Sequence, residues 1–190
     1  TVTNVLNGYG AVEVFADSLA DISNLTIDGV SRGEALNIFD NSKMTLSDSL
    51  ISNINWWEAI GVFDFGNLTA KNVKMTNGTG DGIDVYTGSV VDLQGSVISG
   101  FTYGAGIADY ARSDDPANSV SLKNNEIKNN NTGLSLYSDN SSYAISGNSI
   151  HDNASYGLES YGTAATDVSN NFWGDPSGPY NDPGNLAGTG

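Results

Sequence analysis

Seven aromatic residues recur through the chain at a nearly fixed interval: Phe15, Phe39, Phe63, Tyr86, Tyr110, Tyr137 and Tyr161, separated by 24, 24, 23, 24, 27 and 24 residues. Four residues before each stands a small residue (Ala11, Ala35, Ala59, Gly82, Gly106, Gly133, Gly157), followed at once by an aliphatic one (Val12, Leu36, Ile60, Ile83, Ile107, Leu134, Leu158). Three columns in phase mean one structural unit, copied and stacked.

Within each unit, the aliphatic three before the aromatic and the residue one before it (Val14, Ile38, Val62, Val85, Asp109, Leu136, Ser160) alternate as a strand does, and both are expected to point inward. A second short strand begins five residues after most of the aromatics, as in Met44-Thr45-Leu46 and Val91-Asp92-Leu93. A third ends in the column Ile27, Ile51, Met75, Ile98, Ile127, Ile150 and Trp173. Asn- and Gly-rich turns, such as Asn77-Gly78 and Asn129-Asn130-Asn131, are too short and too rich in breakers for helices. The leucine-rich signature and a six-residue period are both missing, which leaves an all-β, right-handed parallel β-helix of about seven rungs, three short strands each. Residues 1–174 are assigned to it and 175–190 to an irregular tail.

A coil that buries one or two side chains per strand has no core of its own, so its neighbours must supply one. Each inward Ile, Leu or Val then contributes about 1.5–3 kcal/mol, and like residues stack at about 4.8 Å. Asn125, Asn148 and Asn171, each two before the third apolar column, are expected to form an amide ladder.

The rungs Gly82-Ile83-Asp84-Val85-Tyr86 and Gly133-Leu134-Ser135-Leu136-Tyr137, with the units Asn125-Glu126-Ile127 and Asn148-Ser149-Ile150, resemble the β-helix repeats of the pectin-lyase-like superfamily. The tail from Asn170-Asn171-Phe172-Trp173-Gly174 to Pro179 is similar to a segment of large bacterial and archaeal surface β-helix proteins. That resemblance implies an extracellular or cell-surface location, and the strand-like opening Thr1-Val2-Thr3 reads as a piece of a longer chain whose open ends would associate end to end.

Composition narrows function by exclusion. A net charge of −15 with seven Lys and Arg would repel a phosphate backbone, so no nucleic-acid partner is expected. No apolar run approaches the ~20 residues that span a bilayer, and without cysteine there is neither a disulfide nor a thiolate metal site. His151 is the only histidine, a turn residue expected to be solvated.

Two readings of function compete. Asn77-Gly78-Thr79-Gly80-Asp81-Gly82-Ile83-Asp84 resembles the first acidic motif of polygalacturonase-type hydrolases, implying Asp81 and Asp84 as catalytic candidates. Such hydrolases need two carboxylates roughly 5–9.5 Å apart, and the further Asp-Asp, Gly-His-Gly and Arg-x-Lys motifs are absent. The lyase branch implies Ca²⁺ and a basic residue, for which Arg112 is the candidate beside Asp109, Asp114 and Asp115, the last two the weak Ca²⁺ ligands. These sit on an insertion, since Tyr110 to Val120 spans ten residues where Tyr86 to Val91 spans five. The remaining scattered acids, Asp175 and Asp182 among them, have no metal-site spacing, and no cofactor is otherwise expected.

The leading reading is a non-catalytic scaffold or adhesin-like module that binds a polysaccharide or cell-surface glycan. Trp56, Trp57, Phe101, Tyr103 and Tyr156 fall just before the strand that carries the aromatic column, and between these two rows run outward residues including Asp84 and Glu159. Aromatic faces stack on sugar rings while acids and amides take up their hydroxyls.

Overall fold

The computed structural model describes residues 1–6, 9–112, 114–162 and 166–175, and throughout these the chain winds as a parallel β-solenoid without helices. Each turn lays one strand on each of three faces. The first face carries Val2–Leu6, the start of Thr26–Ile38, Leu50–Trp56, Lys74–Gly78, Val97–Phe101, Glu126–Lys128 and Ser149–His151. The second carries Gly10–Val14, the end of Thr26–Ile38, Ile60–Val62, Ile83–Val85, Ala105–Asp109, Thr132–Leu136 and Tyr156–Ser160. The third, from Leu19–Ser23 to Ser142–Ser146, has six strands. About six turns are therefore complete, one fewer than the seven rungs read from the aromatic column, because the last rung lacks a third-face strand among the described residues.

Register follows the sequence columns. On the second face Ile60, Ile83, Ile107 and Leu134 stand over one another, as do Val62, Val85, Asp109 and Leu136. On the first face Ile27, Ile51, Met75, Ile98, Ile127 and Ile150 form one column, all fully buried. A bridge between Ser149 and Phe172 brings the chain back beneath this face, and Trp173 joins the core there.

The chain bends where residues adopt left-handed backbone. One such column is Asn24, Asp48, Asn72, Gly95, Asn124, Gly147 and Asn170, between the third and first faces; another, Asn53, Asn77, Gly100, Asn129 and Asp152, lies in the first face. Asn, Asp and Gly tolerate this conformation at little cost, which is why turn formers recur with the period. The small column before the second face has a steric cause: a Cβ on Gly82 would stand 2.3 Å from the Gly106 carbonyl oxygen and 2.7 Å from Ile98 Cγ2.

The amide ladder forms as expected and is longer than expected. Asn125 N–H donates to Asn148 Oδ1 at 2.9 Å and Asn148 N–H to Asn171 Oδ1 at 3.0 Å, while Ser96 N–H donates to Asn125 Oδ1 at 2.9 Å. A parallel ladder runs from Phe101 N–H to Asn130 Oδ1 and from Asn130 N–H to Asn153 Oδ1, both 3.1 Å.

Candidate functional site

The aromatic column forms a stack, with ring centroids 5.1 Å apart for Phe63 and Tyr86, 5.2 Å for Tyr86 and Tyr110, 5.0 Å for Tyr110 and Tyr137, and 4.4 Å for Tyr137 and Tyr161. Its rings lean over the outer surface of the second face rather than away from it. A Cβ on Gly61 would meet the Phe63 ring at 2.2 Å, and the Tyr110 hydroxyl reaches back one rung to donate to Asp81 Oδ2 at 3.0 Å. The stack is a partial roof.

Acids gather under and beside this roof. Glu34, Glu58 and Asp84 point away from the apolar core yet are buried, and Asp81 lies half-buried next to them. Burial, then the charges of Glu34 and Asp81, push the Glu58 carboxyl up to about 7. Burial and the neighbouring Asp81 and Glu58 hold Asp84 well above the usual carboxylate range, and burial raises Glu34 as well. Tyr86 and Tyr110 are raised too, first by burial and then by Asp84 and Asp81 respectively. Glu34 and Glu58 were missed in the sequence, although each stands five before its ladder aromatic, the phase that Asp81 occupies before Tyr86.

Beyond the acids the same face opens into a trough of about 150 Å³. Its floor is made by the small residues Ala105, Thr132 and Ser135; Tyr110 and Tyr137 of the stack wall one side, Tyr103 and Asn131 the other, with Asp81 at one end and Glu159 at the other. The two acids are three rungs apart, about 14 Å at the usual strand spacing. Tyr103 also borders a wider groove of about 560 Å³ with Ser31, Asn55, Trp56 and Thr79. Tyr103 is 82% and Trp56 71% exposed. Trp56 holds φ at +97°, unfavourable for a bulky residue, and its N–H donates to Thr79 Oγ1 at 2.6 Å. Backbone held in such a region tends to mark a site.

The structure treats the sequence candidates unequally. Tyr103, Glu159 and Asp81 meet in the trough, Trp56 lies in the adjoining groove, and Trp57 and Tyr156 are half-exposed nearby without lining either. Phe101 is a correction: it is 0% exposed, its ring packed where Gly78 has no side chain, so it belongs to the core and not to an open binding face. Asp84 is a second correction, since at 5% exposure it lies beneath its neighbours and not on an open surface.

The insertion is also put to structural use. Asp109 is fully buried and accepts hydrogen bonds from Asn118 Nδ2 at 2.6 Å, Tyr143 Oη at 2.5 Å and Ala111 N–H at 3.0 Å, so it does not stand with Arg112 in an open site. Arg112 is exposed and its N–H donates to Asp115 Oδ2 at 3.0 Å, closing a turn next to exposed Asp114. Among the described residues no group of three or more acidic or histidine side chains is arranged to hold a metal ion. His151 is largely covered, with Nδ1 2.7 Å from Asp152 Oδ2, and not the solvated turn residue expected. Asp182 lies outside the described residues, as does the assigned tail beyond Asp175.

With the three-faced parallel coil established, comparison with known families decides the relationship: the chain matches the family described as the right handed beta helix region over residues 1–173. The chain belongs to the right-handed β-helix family. No curated protein and no solved structure matches it. Membership fixes the hand of the coil and bears out the expected β-helix repeat, while the roof, the acids and the trough are features of this β-helix's own side chains.

Proposed function

We propose that this β-helix is a non-catalytic surface module that binds a glycan lengthwise along its second face. The trough carries the reading: a floor of small residues between two aromatic walls accepts a flat ring, and polar groups at the walls and ends meet its hydroxyls. Trp56 and Tyr103 continue the aromatic edge over neighbouring rungs, as a chain-like ligand needs.

Polysaccharide hydrolysis or lysis fits the geometry less well. Asp84, one of the two candidate carboxyls, is buried beneath its neighbours and cannot flank a glycosidic bond, which takes two carboxyls open to the sugar. Arg112, the candidate lyase base, is exposed on the insertion and does not line the trough.

Calorimetry and a glycan array with the wild-type chain and Tyr103→Ala test the proposal. Binding without new reducing ends or unsaturated products is expected, weakened about tenfold or more by loss of the Tyr103 ring. An array with no bound glycan, or turnover of a bound one, overturns it.

A further inference from the structure

The chemistry of the second face also says what sort of glycan it takes. Asp81 is the accessible end of a run of carboxyls that continues under the aromatic roof through Asp84, Glu58 and Glu34. The ion pairs among the described residues lie elsewhere, at Glu126 with Lys128 and at His151 with Glu126 and Asp152, all on the first face. No Lys or Arg lines the trough. Two polar atoms near the run have no hydrogen-bond partner though buried, Asp84 Oδ1 and Asn37 Oδ1. Both lie in one outward column on either side of Gly61, whose missing side chain leaves the space the Phe63 ring leans into.

A trough with an acid at each end, no cation on its lining and unpartnered polar atoms buried beside its run of carboxyls calls for a ligand rich in donors and positive. A protonated amine offers three donors and no acceptor. An acidic sugar offers the reverse, and it would meet Asp81 and Glu159 with no bridging cation.

We propose that the ligand is a glycan bearing free, protonated amino groups, such as a de-N-acetylated hexosamine polymer, and that Asp81 and Glu159 receive its amines while the exposed Tyr103 stacks on its rings and the edges of Tyr110 and Tyr137 line its path. This rests on the glycan-binding reading above and narrows it to one chemical class. The chain's net charge of −15 would draw such a polycation in from a distance. The titratable groups nearest the incoming charge are Asp81 and Tyr110, with Glu34, Glu58, Asp84 and Tyr86 behind them under the roof, at one end, and Glu159 with Tyr161 at the other. A bound cation favours the ionised form of nearby carboxyls, so binding near neutral pH must release protons from the run.

The test is titration calorimetry of the whole chain with three short oligomers of equal length: glucosamine, its N-acetylated counterpart and galacturonate. The glucosamine oligomer is expected to bind at least about tenfold tighter than the N-acetylated one, the difference made by charge-assisted hydrogen bonds. Its affinity falls with added salt, and its binding heat varies with the ionisation enthalpy of the buffer as protons leave. Glu159→Gln, which keeps the side chain's shape, removes most of the difference between the two oligomers. If the N-acetylated oligomer binds as well and no proton is released, the amine assignment is wrong while glycan binding stands. If no oligosaccharide binds, both fall. Spermidine binding as tightly as glucosamine, with no loss in Tyr103→Ala, would show a surface that reads charge alone and would also overturn the proposal.

Discussion

Phe101 shows how one residue's role depends on its neighbour in the next rung. It shares a first-face column with Gly78 and Ile54, and its ring fills the volume that Gly78 leaves empty: a Cβ on Gly78 would lie 2.3 Å from Phe101 Cε1. The ring is fully enclosed and cannot swing away. Gly78→Ala is therefore expected to destabilise the protein by about 1–3 kcal/mol through overpacking, and Phe101→Leu in the same chain to recover much of that. Thermal melts of the single and double variants measure it, and a Gly78→Ala protein as stable as the parent would refute the exchange. Phe101 stood with Tyr103 in the sequence because both follow the third strand of their repeat, and nothing local separates a ring that turns in from one that turns out. The partner that decides is a glycine 23 residues earlier. Glu34 and Glu58 were hidden differently: their phase was available, but period-two alternation sets them on the side of the inward Leu36 and Ile38, or Ile60 and Val62, and burial beneath a roof of side chains leaves no periodic trace in the chain that is covered.

Among elements, the ladders do what hydrophobic columns cannot, carrying hydrogen bonds along the axis at the corners where backbone groups would otherwise be left without partners. Asn148 is the best connected rung: its Oδ1 accepts from Asn125 N–H and Nδ2, and its Nδ2 donates to the carbonyl oxygens of Leu122 and Ser146 and to Asn171 Oδ1. Asn148→Ala strands several buried groups at once and is expected to cost roughly 2–4 kcal/mol. Hydrogen exchange should show the loss at the Asn125 amide, whose acceptor is deleted, and in neighbouring rungs, with the early rungs still protected; uniform protection throughout would count against the ladder's role. The Asn members were legible because three amides recur in phase with an apolar column. Their continuation through Ser96 and Ser49 was not, since the hydroxyl receives the same backbone N–H without sharing the residue type. The insertion illustrates the same limit. Its extra length was plain, but its product, Asn118 brought inside to meet Asp109, depends on a side chain nine residues away and on Tyr143 in the next turn.

For the molecule as a whole, the buried acids make stability run against the usual dependence on pH. Glu58 holds its proton to about pH 7 in the folded chain against 4.5 as the ordinary value, so between those pH values the folded state binds more protons than the unfolded one. The stability it contributes is fully present below about pH 4.5 and is lost as pH rises through 7. Asp84, also raised by burial, acts in the same direction from 3.8 upward. Asp28 and Asp167 are lowered and oppose this, but both are held by exposed hydrogen bonds that solvent screens. Self-repulsion at a net charge of −15 reinforces the trend as the remaining carboxylates ionise. Because each coil is stabilised only by its neighbours, repulsion focused on the rungs that carry Glu34, Glu58 and Asp84 weakens the stack at its middle rather than at a fraying end. The melting temperature is accordingly expected to be higher at about pH 5 than at about pH 8, with a difference on the order of 2 kcal/mol from Glu58. Glu58→Gln, neutral at every pH, should raise stability at the higher pH, leave it nearly unchanged at the lower, and so flatten the profile. Circular-dichroism melts of both proteins at the two pH values decide the matter, and a wild-type profile that climbs toward pH 8, or one that Glu58→Gln leaves equally steep, would show that these carboxyls are not held protonated within the fold.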